Sequence, residues 1–228
     1  MVERGDSLAE DVRSERPRLT VVVSGTGTEV GKTWVTARVS EQMRIRGFEV
    51  AARKPAQSHE PGDPMTDAAV LAAATGEDAR AVCREERDYE VAMAPPMAAS
   101  ALGMEPFTIA DLVAHLQWPR GCDVGFVESA GGVRSPIASD GDTIDLIEHV
   151  QPDLVLLVAD AGLGVINAVR LSLAAMVSSR VLVVLNRFDG DDDLHRRNLA
   201  WLREVDGLDP LVSPQEVAVR LARLLEDP

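Results

Sequence analysis

Apolar residues follow two rhythms along this chain. Runs at 19–24 (Leu-Thr-Val-Val-Val-Ser), 49–53, 123–128, 154–159 (Leu-Val-Leu-Leu-Val-Ala) and 181–185 (Val-Leu-Val-Val-Leu) predict strands. Several are continuously apolar rather than alternating, which is how strands covered on both faces of a parallel sheet read. Longer stretches with helical periodicity lie between them. After Gly31, Val35, Val39 and Met43 recur at four-residue spacing, and Gly47 marks the stop. Residues 67–75, 108–117, 165–178, 194–204 and 214–225 also read as helices. This alternation predicts a doubly wound α/β fold: a mainly parallel sheet with helices on both faces and ligands at the carboxyl ends of the strands. Two stretches, 55–66 and the proline-containing 93–106, read as loops over that edge. The acidic run 189–193 reads as a solvated loop before the next helix.

Composition narrows the picture. A chain of 228 residues, 46% hydrophobic, fits one domain with a sizeable core. We read residues 1–18, charged and without the apolar stretch of a signal peptide, as a disordered tail preceding a single domain over 19–228. Net charge is −14, from 23 basic and 37 acidic residues. That excess argues against nucleic acid or an anionic membrane as partner. No run approaches the ~18 apolar residues of a membrane span. Cys83 and Cys122 lie far apart, without metal or redox spacing, and read as reduced cytoplasmic thiols.

One motif stands out. Gly25 to Thr33 reads Gly-Thr-Gly-Thr-Glu-Val-Gly-Lys-Thr, between a predicted strand and a predicted helix. Strand, glycine-rich loop, Lys-Thr and helix together describe a phosphate-binding loop (P-loop), whose N–H groups face an anion. Lys32 supplies charge for the terminal phosphates and the Thr33 hydroxyl suits Mg²⁺. The loop has five residues between Gly25 and Gly31 where the common form has four.

Other predicted strands end in polar residues. Lys54-Pro55 follows the second, Glu128 closes the third, and Asn186 follows the fifth. A parallel sheet brings all of them to one crevice. Each has a plainer reading: a strand-capping lysine for Lys54, a helix N-terminal acid for Glu128, a first-turn residue for Asp67, a loop amide for Asn186. The functional reading gives Lys54 an anionic intermediate, and gives Thr33, Asp67 and Glu128 a magnesium ion.

Taken together, these segments resemble the ATP-dependent dethiobiotin synthetases. The resemblance rests on the long phosphate loop, Lys54-Pro-Ala-Gln-Ser58, Asp67, Glu128-Ser-Ala-Gly-Gly132 and Gly162-Leu-Gly-Val-Ile-Asn167. It implies that 7,8-diaminopelargonic acid, CO₂ (or bicarbonate) and ATP are the substrates and magnesium the cofactor. It implies nucleotide contacts from Thr28, Glu29, Val30, Gly31, Lys32, Thr33, Trp34, Asp67, Glu128, Ser129, Ala130, Gly131, Asn186 and Arg187, with Pro210 to Val212 near the base. Lys32 and Lys54 would be catalytic. Lys54, Ser58 and Asn167 would hold the diamine. The family is homodimeric, so Asn167 would act across the subunit interface.

Three positions depart from the family pattern: Ser129 replaces glycine, Met97 replaces histidine, and Ala168 stands where some members carry histidine. Arg134 adds a charge after the double glycine. These departures keep open a diverged carbamate- or amide-forming enzyme. A switch ATPase is the other alternative, but its second loop lysine is replaced here by Gly27.

Overall fold

The computed structural model describes residues 16–226. In chain order the elements are β1 (Leu19–Gly25), α1 (Lys32–Ile45), β2 (Val50–Arg53), β3 (Gln57–Ser58), α2 (Asp67–Thr75), α3 (Ala79–Val82), β4 (Asp88–Tyr89), α4 (Pro95–Ala101), α5 (Ile109–Ala114), β5 (Val124–Glu128), β6 (Pro136–Ala138), β7 (Gly141–Asp142), α6 (Thr143–Val150), β8 (Leu154–Asp160), α7 (Val165–Ala175), β9 (Val181–Asn186), α8 (Asp193–Glu204) and α9 (Pro214–Glu226). Five strands form one parallel sheet in the order β2-β5-β1-β8-β9.

The continuous apolar runs are explained by burial on both faces. Along β1, Val21 and Val23 join a core shared with α1, α2 and α9, while Val22 joins the opposite core with α4 to α8. In β8, Leu154, Leu156 and Val158 face the first core, and Val155, Leu157 and Ala159 the second. Leu211 extends the far edge, exchanging backbone hydrogen bonds with Val183 and Leu185.

Register places the chemistry. Arg53 pairs with Val127 and Val23 with Glu128, so the residue that follows β2, Lys54, comes level with Glu128. Asp160 pairs with Asn186 on the other side of β1. All five predicted strands are present. The predicted helices at 108–117 and 165–178 end earlier, at Ala114 and Ala175. The stretch 93–106 is not all loop: Pro95 and Pro96 occupy the first turn of α4, where a missing N–H costs nothing. Helix α6 was not predicted, although Asp142 and Asp145 form a capping box at its start.

Residues 1–15 of the predicted tail lie outside the described residues. The described part is tied down by residue 16: Arg16 pairs with Asp153, and Arg18 with Asp123. Among the described residues no helix is long and apolar enough to cross a membrane. Both thiols are free and buried, which pushes Cys83 up to about 12 and Cys122 up to about 11.

Candidate active site

The phosphate loop leaves β1 and turns into α1 through two left-handed residues, Glu29 (φ 60) and Gly31 (φ 90). Gly31 is the N-cap of α1, with no side-chain cap and no acidic residue in the first turn. The helix therefore presents bare N–H groups and its positive end to the cleft. Lys32 reaches back across the loop, and its Nζ donates to the carbonyl oxygens of Gly27 at 3.1 Å and Gly131 at 2.7 Å. Burial and then the nearby Lys54 charge hold Lys32 down at about 8. A β-carbon on Gly132 would come within 3.3 Å of the Gly27 Cα, so the two glycine-rich loops pack backbone to backbone.

Four charged or hydroxyl side chains meet beside this loop. Glu128 is fully buried at the end of β5. Its Oε1 accepts from Thr33 Oγ1 at 2.7 Å and from Lys54 Nζ at 2.9 Å. Asp67 faces the same point from the start of α2, with Oδ1 2.8 Å from Thr33 Oγ1 and Oδ2 2.7 Å from Lys54 Nζ. Burial alone would lower Lys54, but the Asp67 and Glu128 carboxylates outweigh it and raise the ammonium above its usual range. Burial alone would raise Asp67; the Lys54 charge wins and holds it at about 2. Lys54 is only 2% exposed, so the strand-capping surface reading is wrong. Glu128 closes a strand and starts no helix, which removes its plainer reading as well. Asp67 is the first residue of α2, as its plainer reading has it, and its carboxylate also faces Thr33 and Lys54.

The hydroxyl of Thr33 and two carboxylates supply hard oxygens converging on one point, the donor chemistry Mg²⁺ takes alongside phosphate and water. Among the described residues no group of three or more His, Cys, Asp or Glu side chains converges as a metal cage.

A cleft of about 1040 Å³ opens above this cluster. Thr28, Glu29, Trp34, Ala130 and Arg187 line it on the phosphate-loop side, and Ser58, Met65, Met93 and Pro95 across from it. Ser58 donates its hydroxyl to the Met93 carbonyl. Asn186 is buried and donates its amide to the Val30 carbonyl at 2.9 Å, so its NH₂ group braces the loop. Arg187 spans Asp160 and the Glu29 carbonyl. Ser129 is buried, gives its carbonyl to Lys54, and does not line the cleft. Met97 and Arg134 are also outside the lining; Arg134 pairs with Asp142 at 3.1 Å. Asn167 lies exposed on α7, away from this cleft.

Comparison with known proteins decides the family. A family model described as an AAA domain matches residues 19–213. The ATP-dependent dethiobiotin synthetase BioD of Haloferax mediterranei is 36% identical over 190 residues, covering 81% of this chain and 79% of that protein. The chain belongs to the dethiobiotin synthetase family. The synthetase of Rhodococcus jostii is 33% identical, covering 89% and 88%. A putative plasmid partition protein of Borrelia burgdorferi shares the fold at 10% identity, with a TM-score of 0.50 over 92% of this chain and 90% of that one. As a member of the dethiobiotin synthetase family the chain is an ATP-dependent ligase.

Two groups in this site were missed in the sequence. Thr36 Oγ1 donates to Glu128 Oε2 at 2.9 Å, fixing the second carboxylate oxygen. Its place one helical turn after Thr33 was the available signal. Gln57 contacts the start of α2 from β3; it lies inside the Lys54–Ser58 motif, at a position to which the motif gave no role.

Proposed function

We propose that this chain closes the ureido ring of dethiobiotin from 7,8-diaminopelargonic acid, CO₂ and MgATP, with the reacting groups in the cleft above Lys32 and Lys54. One amine adds to CO₂ and loses a proton, giving a carbamate. The carbamate oxygen takes the γ-phosphoryl group as ADP leaves. The second amine then attacks the carbonyl carbon, phosphate departs, and the ring closes.

Roles follow from position. The loop N–H groups from Thr28 to Thr33 and the bare end of α1 hold the phosphates, with Trp34, Ala130 and Gly131 bordering them. Lys32 neutralises charge growing on the transferring group. Lys54 faces the carbamate. Thr33, Asp67 and Glu128 hold magnesium, which offsets phosphate charge when bound. Asn186, Arg187 and the segment 210–212 frame the base side. Ser58 and the apolar wall of Met65, Met93 and Pro95 suit an aliphatic diamine. The single observation that carries the reading is the meeting of two lysines, one hydroxyl and two carboxylates beneath an uncapped helix N-terminus.

Homodimerisation belongs to the same proposal. Helix α7 also starts at a left-handed glycine, Gly164 (φ 92), with no side-chain cap. Leu163 beside it is 91% exposed, and Leu171 and Trp201 are exposed on α7 and α8. A second copy covering this face would bring Asn167 and the α7 N-terminus to its partner's diamine carboxylate. We place the enzyme in the cytoplasm, where its thiols stay reduced.

The test is phosphate release from MgATP and bicarbonate, with and without 7,8-diaminopelargonic acid. Diamine-dependent release with dethiobiotin in equal amount is the expected result. Nucleotide binding without response to the diamine would sink the substrate assignment.

A further inference from the structure

A buried polar string runs outward from the site, beginning at Gln57 on the cleft wall. Strands β3 and β4 pair in parallel for two residues, setting Gln57 beside Asp88. Gln57 is buried; its Oε1 accepts from the Ala68 N–H at 2.8 Å and its Nε2 donates to Asp88 Oδ1 at 2.8 Å. A backbone N–H only donates and a carboxylate only accepts, so the amide has one permitted orientation. Asp88 is held in turn: Oδ1 lies 2.9 Å from His59 Nε2, and Oδ2 2.9 Å from Arg80 Nη1. The other ring nitrogen of His59 is 2.9 Å from the Glu60 carbonyl. Both partners of the ring are acceptors, so the bonds are complete when His59 carries both protons.

The inner end of the string lies one residue from Asp67. Thr66 caps α2 from within its own segment, and that bond moves with the helix. Among the described residues, the Gln57 bond is the polar tie from the first turn of α2 to another element, apart from those of the Asp67 carboxylate itself.

We propose that Gln57 is a positioning residue: through Ala68 it fixes Asp67 against Thr33 and Lys54, with Asp88 as its anchor. This rests on the reading of Asp67 as a magnesium-holding group. Outer residues that orient metal-holding carboxylates commonly govern affinity by 10–100-fold when lost.

The experiment measures ADP binding by calorimetry across a magnesium titration, with melting temperature recorded alongside. Gln57→Leu keeps the volume and removes both bonds. It is expected to raise the magnesium concentration for half-maximal binding by about tenfold or more, with metal-free ADP binding unchanged. The paired variant Gln57→Glu with Asp88→Asn rebuilds the bond between positions 57 and 88 with donor and acceptor exchanged: the new amide donates one hydrogen to the new carboxylate and the other to Nε2 of neutral His59, while the carboxylate still accepts from the Ala68 N–H. It is expected to return the magnesium requirement to that of the parent. A lowered melting temperature in Gln57→Leu with an unchanged magnesium requirement overturns the proposal. So does a folded pair variant that keeps the shifted requirement. Asp67→Asn separates the two levels: if it leaves the magnesium requirement unchanged, the reading of Asp67 itself fails. If it shifts the requirement and Gln57→Leu does not, only the role of Gln57 fails.

Discussion

Single atoms decide the phosphate loop. At Gly31, φ is 90° and a β-carbon would lie 2.1 Å from the Asn186 amide nitrogen. Gly31→Ala must displace that brace as well as adopt a strained backbone. ATP affinity measured by calorimetry is expected to fall by on the order of tenfold or more. Lys32, held at about 8 by burial and the Lys54 charge, gives a pH signature. Phosphate raises an adjoining ammonium, so ATP binding above pH 8 draws in a proton and apparent affinity falls as pH climbs through that value. Calorimetry in two buffers of different ionisation heat should show the uptake, and Lys32→Met should abolish it. Lys54 joins stability to chemistry. In Lys54→Ala the buried Glu128 and the partly exposed Asp67 lose their shared partner; breaking the buried Lys54–Glu128 pair costs about 3–5 kcal/mol of folding stability by denaturant titration. Turnover should fall by about a hundredfold or more while nucleotide still binds. None of this pairing was visible along the chain. Lys54 read equally well as a strand cap because its surroundings depend on which strand lies beside β2, and register brings Glu128 there.

Among elements, what could be read depended on length and continuity. The five long strands were legible because a short apolar run, closed by polar residues at both ends, suits little except a strand buried on both faces. Helices with an apolar stripe were legible by their period. Strands β3 and β4 have two residues each, too few for any period, yet they set Gln57 beside Asp88. Helix α4 was hidden by its own prolines, which mark a loop until they are seen to fall in a first turn. The short parallel pair also yields a stability test. Burial lowers His59, but the Glu60 carbonyl and the Asp88 carboxylate prevail and raise it above its ordinary value of 6.5. Stability from this contact is therefore complete below 6.5 and is lost as pH rises through the higher folded value. The melting temperature of the parent relative to His59→Ala should therefore fall as pH rises above 6.5.

For the whole molecule, the match to an AAA domain over 19–213 and the parallel sheet agree on architecture. The proposed second copy makes its own prediction. Leu171→Glu on the exposed face of α7 should convert a particle of twice the chain mass into a single chain in sedimentation, and raise the KM for the diamine. A parent sedimenting as one chain would end that proposal. The sequence alone could nominate Asn167 for this role only by resemblance, since no pattern within one chain states what lies across an interface. Charge distribution has a kinetic consequence. Two lysines balance two carboxylates in the site, whereas the chain as a whole carries −14. An approaching nucleotide, itself anionic, meets net repulsion at long range and attraction only within the cleft. Added salt shortens the range of that repulsion. Its capture should therefore accelerate as ionic strength rises, the reverse of a protein that draws in its ligand by opposite charge.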